Sequence, residues 1–454
     1  MGGESDLNYR RQYEQKLVSA EEAVKYVRSG EQVQFNSYNG IPTTLDKALA
    51  ARKDELKEVI IHTSVTIYPL HTISADPSGE HFILHSWHIS GYDRKLAQTS
   101  LGVYYVPALY YEHPLIFERH RDMDWVMIQT APMDENGNFN FGPSACHAKA
   151  IIDAGKKIVL EVNENMPVVY GGCNESVHID EVDLVVEGEN PALFTIPEKP
   201  PTEIDRRVAA LIMEEIEDGA CLQLGIGTMP NAVGEMIANS DLKDLGVHTE
   251  MLVDAIVKMS AAGRVTGANK AVDKGKIAFG FAIGSQFLYD FVDRNPDCIT
   301  YSVDYMNTPH NIARNPKVVA INSAIEVDLF SQINSESVGT RQISGTGGQV
   351  DFLLGAYMSK GGKGIICMTS TYRGPQGQLI SRIRPTLSPG TIVTVPRTIA
   401  NYIATEYGIA NVKGKSTWQR AEALVGIAHP DFRDDLIKEA EKMKLWRKTN
   451  KIAD

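Results

Sequence analysis

Along this chain, apolar runs of strand length alternate with longer stretches in which apolar residues recur every three or four positions. The strand-like runs fall at 59–61, 125–129, 157–162 and 182–186, and the pattern predicts a helix over 144–154. Ser19-Ala-Glu-Glu22 reads as a capping box that opens a helix to about Arg28, where Gly30 ends it. A helix over 203–218 aligns Val208, Leu211, Ile212 and Ile216 on one stripe. The charged stretch 418–446 reads as helix packed on the second half. Strands alternating with helices predict α/β architecture with mostly parallel, helix-covered sheets.

The pattern also repeats. Gly30-Glu-Gln-Val-Gln-Phe35 leads into a loop ending at Pro42, a helical run, and Val59-Ile-Ile-His-Thr-Ser64. Gly219-Ala-Cys-Leu-Gln-Leu224 leads into Gly225-Ile-Gly-Thr-Met-Pro230, a helical run, and Leu245-Gly-Val-His-Thr-Glu250. Ser64 and Glu250 stand at equivalent places, so a duplicated unit carries a carboxylate in its second copy alone. The proline-rich stretch 187–202 has no sustained periodicity and is the best linker. Two similar open α/β domains follow, 1–200 and 201–454, with the chemistry expected in the second.

Composition narrows the classes of function. The five cysteines are scattered with no CxxC pair, which argues against a disulfide framework or structural zinc. Residues 1–16 are polar and no 18-residue apolar run follows, so neither signal peptide nor membrane span is read and a cytoplasmic protein is expected. With 57 acidic against 45 basic residues the net charge is −12, which repels nucleic acid and leaves phosphate groups to backbone amides and local cations.

Two glycine-rich turns offer such amides. Gly225 to Pro230 follows a strand and precedes a helix, so its N–H groups can meet an anion or a developing oxyanion. Pro230 occupies the third glycine's place in the dinucleotide fingerprint, which weakens a dehydrogenase reading. Ser344-Gly-Thr-Gly-Gly-Gln-Val-Asp-Phe352 is the second turn, and Gly347 and Gly348 expose its amides. Lys360-Gly-Gly-Lys-Gly364 lacks phosphate-loop spacing and reads as a surface turn. His88, His147 and His248 show no metal-ligand spacing and read as structural. Glu250, at the end of an apolar strand, is already a nucleophile once ionised and needs no partner base to attack an acyl group.

Leu224-Gly-Ile-Gly-Thr-Met-Pro-Asn-Ala232, Leu245-Gly-Val-His-Thr-Glu-Met251, Gln342-Ile-Ser-Gly-Thr-Gly-Gly-Gln-Val-Asp-Phe352 and Ile403-Ala-Thr-Glu-Tyr-Gly408 together resemble the family I coenzyme A transferases, in the branch related to acetyl-CoA hydrolases and 4-hydroxybutyrate CoA-transferases. The resemblance spans nearly the whole chain. It implies that Glu250 forms a glutamyl-CoA thioester and that Gly225, Ile226, Gly227, Thr228 and Met229 line the CoA site, with Ile325, Gly347 and Gly348 contributing. Arg373 stands where several relatives place a CoA-contacting lysine. The implied activity is ping-pong transfer of CoA from a short-chain acyl-CoA such as butyryl-CoA to acetate. The alternatives are 4-hydroxybutyrate or another short-chain acid, or hydrolysis on the same fold. CoA would be substrate, with no tightly bound cofactor or metal, and the chain a homodimer or homotetramer. A dehydrogenase and a non-catalytic CoA sensor are the readings outside this class.

Overall fold

The computed structural model describes residues 2–197 and 199–447, with side chains from residue 8 onward. Seven strands form a first sheet in the order Val103–Tyr105, Phe82–Ser86, Val59–Thr63, Gln32–Phe35, Trp125–Thr130, Ile158–Val162 and Leu184–Glu187, every neighbouring pair parallel. A second sheet has eight: Cys298–Thr300, Ile277–Ala282, Gly246–Leu252, Cys221–Leu224, Val318–Ser323, Lys363–Cys367, Tyr402–Thr405 and Gly408–Asn411. Only its last pair is antiparallel.

Numbered within each half, both sheets run 4-3-2-1-5-6-7, and the second adds one edge strand. The register repeats too. Gln34 pairs with His62 in the first sheet, while Leu222 pairs with Val247 in the second, which sets Gln223 level with His248. Each sheet reverses its winding beside its first strand, and the carboxyl ends of the strands at such a reversal border a crevice that suits ligands. The strands are buried on both faces, as parallel strands covered by helices require.

Three helices differ from the sequence expectation for local reasons. The first capped helix is only Ala20–Val24, with the Ser19 hydroxyl accepting from the Glu22 N–H at 3.2 Å. Beyond it the Arg52 guanidinium binds the carbonyls of Val24 and Val27, which ends the helical ladder. Thr202 and Asp205 form a capping box for Glu203–Met213, which stops five residues short of 218 because the Ile216 N–H turns back to the Met213 carbonyl. The charged C-terminal stretch is two helices, Thr417–Gly426 and Pro430–Lys442, parted where Pro430 has no N–H to continue the first. The expected helix over 144–154 is present as Ala148–Asp153.

The two halves share a core. Tyr38, Ile67, Tyr110 and Cys146 from the first half are buried in one cluster with Leu224, Met251, Phe281 and Ile283 of the second. Across the same seam Asn39 donates to the Tyr289 hydroxyl at 2.9 Å, and that hydroxyl donates to the Phe194 carbonyl at 2.5 Å. No helix among the described residues is long and apolar enough to cross a membrane.

Candidate active site

Gly246–Leu252 is an unbroken strand beside the reversal point of the second sheet, and Glu250 is its fifth residue. Its partner strand comes close at this point: a Cβ on Gly280 would lie 3.1 Å from the Glu250 carbonyl oxygen. The Glu250 side chain opens onto a cavity of about 290 Å³ between the halves. Tyr38, Val65, Ile67, His88 and Tyr110 reach it from the first half. Gln223, Gly225, Ile226, Met251, Phe281, Asn322 and the loop 344–349 close it from the second.

Both glycine turns meet there. Gly225 has its N–H on the Ile321 carbonyl at 2.9 Å, and a Cβ on it would lie 3.2 Å from Asn322 Oδ1. Gly227 caps the helix Thr228–Ala238 at φ +130°, a conformation that favours glycine. The second turn presses directly on the carboxylate. A Cβ on Gly348 would lie 1.9 Å from Glu250 Oε2, and one on Gly347 would lie 4.0 Å from Oε1. The turn is held from the first half, where His88 Nε2 and the Ser344 hydroxyl are 3.0 Å apart.

Glu250 receives two donors. The Asn307 side-chain amide donates to Oε2 at 2.5 Å, and the Gly348 backbone N–H bonds the carboxylate. Burial pushes the Glu250 carboxyl up to about 7 from an ordinary 4.5, against these two hydrogen bonds, which pull it down. At neutral pH a substantial fraction is the anion, deprived of most of its water and next to apolar surface.

The other ionisable side chains that line the cavity are uncharged at pH 7. Burial, and then the charge of Arg94, lowers the His88 imidazole to about 4, so it is neutral at pH 7. Burial raises the Tyr38 and Tyr110 hydroxyls well above their usual range, and the two hydroxyls hydrogen-bond each other. Tyr38 stacks on Phe281 with ring centroids 3.9 Å apart. Tyr38 and Val65 sit at φ +56° and +46°, unusual for residues with a Cβ and most of all for β-branched valine. Burial likewise keeps the Cys146 thiol protonated.

Of the residues singled out from sequence, Glu250, Gly225, Ile226, Gly347 and Gly348 line the cavity. Gly227, Thr228 and Met229 continue into the helix behind it, and Met229 is buried. Ile325 and Arg373 lie outside its lining. The Ile325 carbonyl accepts from Arg382 at 2.8 Å, and Arg373 binds the Gly377 carbonyl of its own hairpin at 3.0 Å. His147 is buried with its Nε2 3.0 Å from His113 Nδ1, and His248 Nε2 lies 2.8 Å from the Met306 carbonyl. Lys360-Gly-Gly-Lys-Gly364 is a turn feeding a strand, with Lys363 bound to Glu215 at 2.7 Å. His88, Tyr38, Val65, Tyr110 and Asn307 were not visible as site residues in the sequence. Of these, His88 alone drew notice in the sequence, where it read as structural.

A carboxylate beneath the Gly348 amide, at a largely apolar cavity, suits attack on an activated acyl carbon. The profile described as the acetyl-CoA hydrolase/transferase N-terminal domain matches residues 3–196, and that of the C-terminal domain matches residues 284–440. The chain is 49% identical over 447 residues to the butyryl-CoA:acetate CoA-transferase of Anaerostipes caccae, covering 98% of this chain and 100% of that protein. It is 39% identical over 432 residues to a 4-hydroxybutyrate coenzyme A transferase of Clostridium kluyveri, covering 95% and 98%. Among solved structures, RipA from Yersinia pestis superposes with a TM-score of 0.88 at 34% identity, covering 96% of this chain and 99% of that one.

Proposed function

Because the chain belongs to the acetyl-CoA hydrolase/transferase family, we propose that it is a CoA-transferase moving CoA from butyryl-CoA to acetate, with Glu250 as nucleophile. The observation that carries this reading is the fit of the Glu250 carboxylate under Gly348, at the mouth of an apolar cavity.

The ionised carboxylate adds to the thioester carbon, and the new oxyanion meets amides of the two glycine turns. Collapse expels the CoA thiolate and leaves an acyl-glutamyl anhydride. The thiolate then adds to the glutamyl carbonyl, butyrate departs, and CoA remains on Glu250 as a thioester. Acetate attacks this thioester, and the same steps run in reverse to release acetyl-CoA. One thioester is consumed and one is formed over the cycle, so no outside energy source enters.

Tyr38, Ile67, Met251 and Phe281 offer a short acyl chain an apolar wall, and the same wall restricts water that would hydrolyse the intermediates. The first glycine turn, where Gly225 carries no side chain and Ile226 lines the cavity, is suited to the CoA end. Binding energy from the remote parts of CoA would then be available to the reacting centre.

The test is intact mass after mixing with butyryl-CoA, followed by borohydride reduction and peptide mapping. A CoA-sized adduct, with reduction localised to Glu250, is expected. Turnover with acetate while Glu250 stays unmodified would sink the covalent mechanism.

A further inference from the structure

A second carboxyl lies behind the reacting one. Asp351 is in the first turn of the helix Gln349–Met358 and is 0% exposed. Its Oδ2 accepts from the Asn307 amide at 3.2 Å and from the Tyr111 N–H at 3.3 Å. The same Asn307 nitrogen donates to Glu250 Oε2 at 2.5 Å. One NH2 group is therefore divided between two carboxyls.

Two further atoms complete the picture. Asp351 Oδ1 and Asn307 Oδ1 are both buried without a hydrogen-bond partner among the described residues. Two unpartnered acceptors in one buried cluster are what a missing proton leaves, and a buried acceptor without a donor is costly. The charged groups acting on Asp351 are Glu250, from the neighbouring strand, and Glu112, from the turn that also supplies the Tyr111 N–H. Both are acidic. The remaining ionisable groups around Glu250, namely Tyr38, Tyr110, Cys146 and His88, are neutral at pH 7. The helix N-terminus favours an anion at Asp351, but two full ionisations around one amide would place like charges together in a dry site.

We propose that Asp351 is the protonated partner of Glu250: the pair bridged by Asn307 holds one negative charge, on Glu250, and Asp351 positions the bridging amide as a neutral acid. The proposal rests on the reading of Glu250 as the nucleophile. Each carboxyl has two donors, and Glu250 takes the charge because it opens onto the cavity whereas Asp351 is sealed. Burial, and then the charge of Glu250, pushes the Asp351 carboxyl well above its usual range, in the same direction. A proton on Oδ1 turns one orphaned acceptor into a donor. When Glu250 becomes a thioester its charge is gone, and Asp351 then faces one anion fewer. The two carboxyls thus titrate as a unit whose charge follows the covalent state of the enzyme.

The test uses the full-length enzyme and compares Asp351→Asn and Asp351→Ala with the parent. Infrared difference spectra of the resting enzyme at neutral pH should contain a protonated-acid C=O band that shifts with carboxyl-labelled aspartate and is lost in Asp351→Asn. The acid limb of kcat/KM should keep its midpoint in Asp351→Asn, since a neutral acid is replaced by a neutral amide. Asp351→Ala should lower kcat by about tenfold or more with little change in KM, because Asn307 loses its anchor, and Asp351→Asn should recover most of that loss.

Absence of the acid band, or an acid limb moved down by about one unit or more in Asp351→Asn, would mean that Asp351 is ionised at rest and would overturn the proposal. Buried Asp46 and Asp93 are also pushed up, so should the variants fail to fold, the parent's labelled band must shift when Glu250 is converted to its CoA thioester, and a band indifferent to that step would overturn the proposal. Turnover surviving in Glu250→Ala would instead overturn the nucleophile reading, whatever the band shows.

Discussion

Gly348→Ala isolates the geometry of the proposed nucleophile. Gly348 has φ −88° and ψ 11°, a backbone that alanine adopts without strain, so the requirement for glycine here is space. The added Cβ would stand 1.9 Å from Glu250 Oε2, 2.3 Å from Asn307 Nδ2 and 3.0 Å from the Glu250 carboxyl carbon. Ordinary contact begins near 3.4 Å, so the carboxylate must withdraw by 3.4 − 1.9 = 1.5 Å or the helix must shift. A misplacement of about 1 Å costs about 100-fold in rate, and losing one backbone donor to a developing oxyanion costs about 100- to 1,000-fold. The two effects overlap, since both follow from one displacement. The expected loss in kcat is therefore at least about 100-fold, or about 2.7 kcal/mol of transition-state stabilisation. The assay is steady-state transfer from butyryl-CoA to acetate, with a thermal melt to show that the variant is folded. A folded Gly348→Ala enzyme whose kcat stays within about threefold of the parent would refute the placement of Glu250 under this turn.

Glu250 should set opposite trends for activity and stability with pH. Its folded value of about 7 lies above the ordinary 4.5, so the ionised form is disfavoured by folding. This group's contribution to stability is complete below about 4.5 and is lost as pH rises toward 7, while kcat/KM rises over the same window. Melting curves should show Glu250→Gln gaining on the parent as pH rises from 5 to 8, and a parallel pair of curves would contradict the raised value. Phe281→Ala should remove the ring on which Tyr38 stacks, destabilise the fold by about 3–5 kcal/mol in denaturant titration, and raise kcat/KM for longer acyl-CoAs relative to butyryl-CoA. An unchanged chain-length preference would place the acyl group elsewhere.

The repeat was legible because it is local. Alternating strand and helix periods, the glycine before the first strand and the His-Thr at the end of the second recur within about 35 residues in each half. These same features reappear as two sheets with one winding order. Glu250 and the glycine turns were legible for the same reason, being strand ends and turns with their own composition signals. Tyr38, Val65, His88 and Tyr110 were not. They belong to the first half, and their role comes from docking against strands about 140 to 240 residues away, which leaves no periodic trace. Asn307 follows a four-residue helix, too short to show a pattern. The early end of the helix at Val24 was equally hidden, because it depends on the guanidinium of Arg52 reaching its carbonyls.

The comparison of Ser64 with Glu250 shows what the duplication required besides a carboxylate. At the reversal point of the first sheet, the space beyond the strand ends is occupied by the chain itself. Asn36 donates to the Ser144 carbonyl at 3.1 Å, Gln129 donates to the Ile41 carbonyl at 2.8 Å, and the Ser64 hydroxyl is buried without a partner among the described residues. At the matching point of the second sheet, Gly225 withholds a side chain, and Gln223 and Asn322 bond each other at 2.9 Å beside the cavity. The strand ends there stay open to a ligand. The filled half supplies the opposite wall through Tyr38, Val65 and His88, and His88 also steadies the turn that carries Gly348. A carboxylate at position 64 would face protein, without Gly348 above it or an acyl-sized space beside it. The site therefore arises from an asymmetry between two copies of one fold, one filled into a wall and the other left open, more than from the glutamate alone.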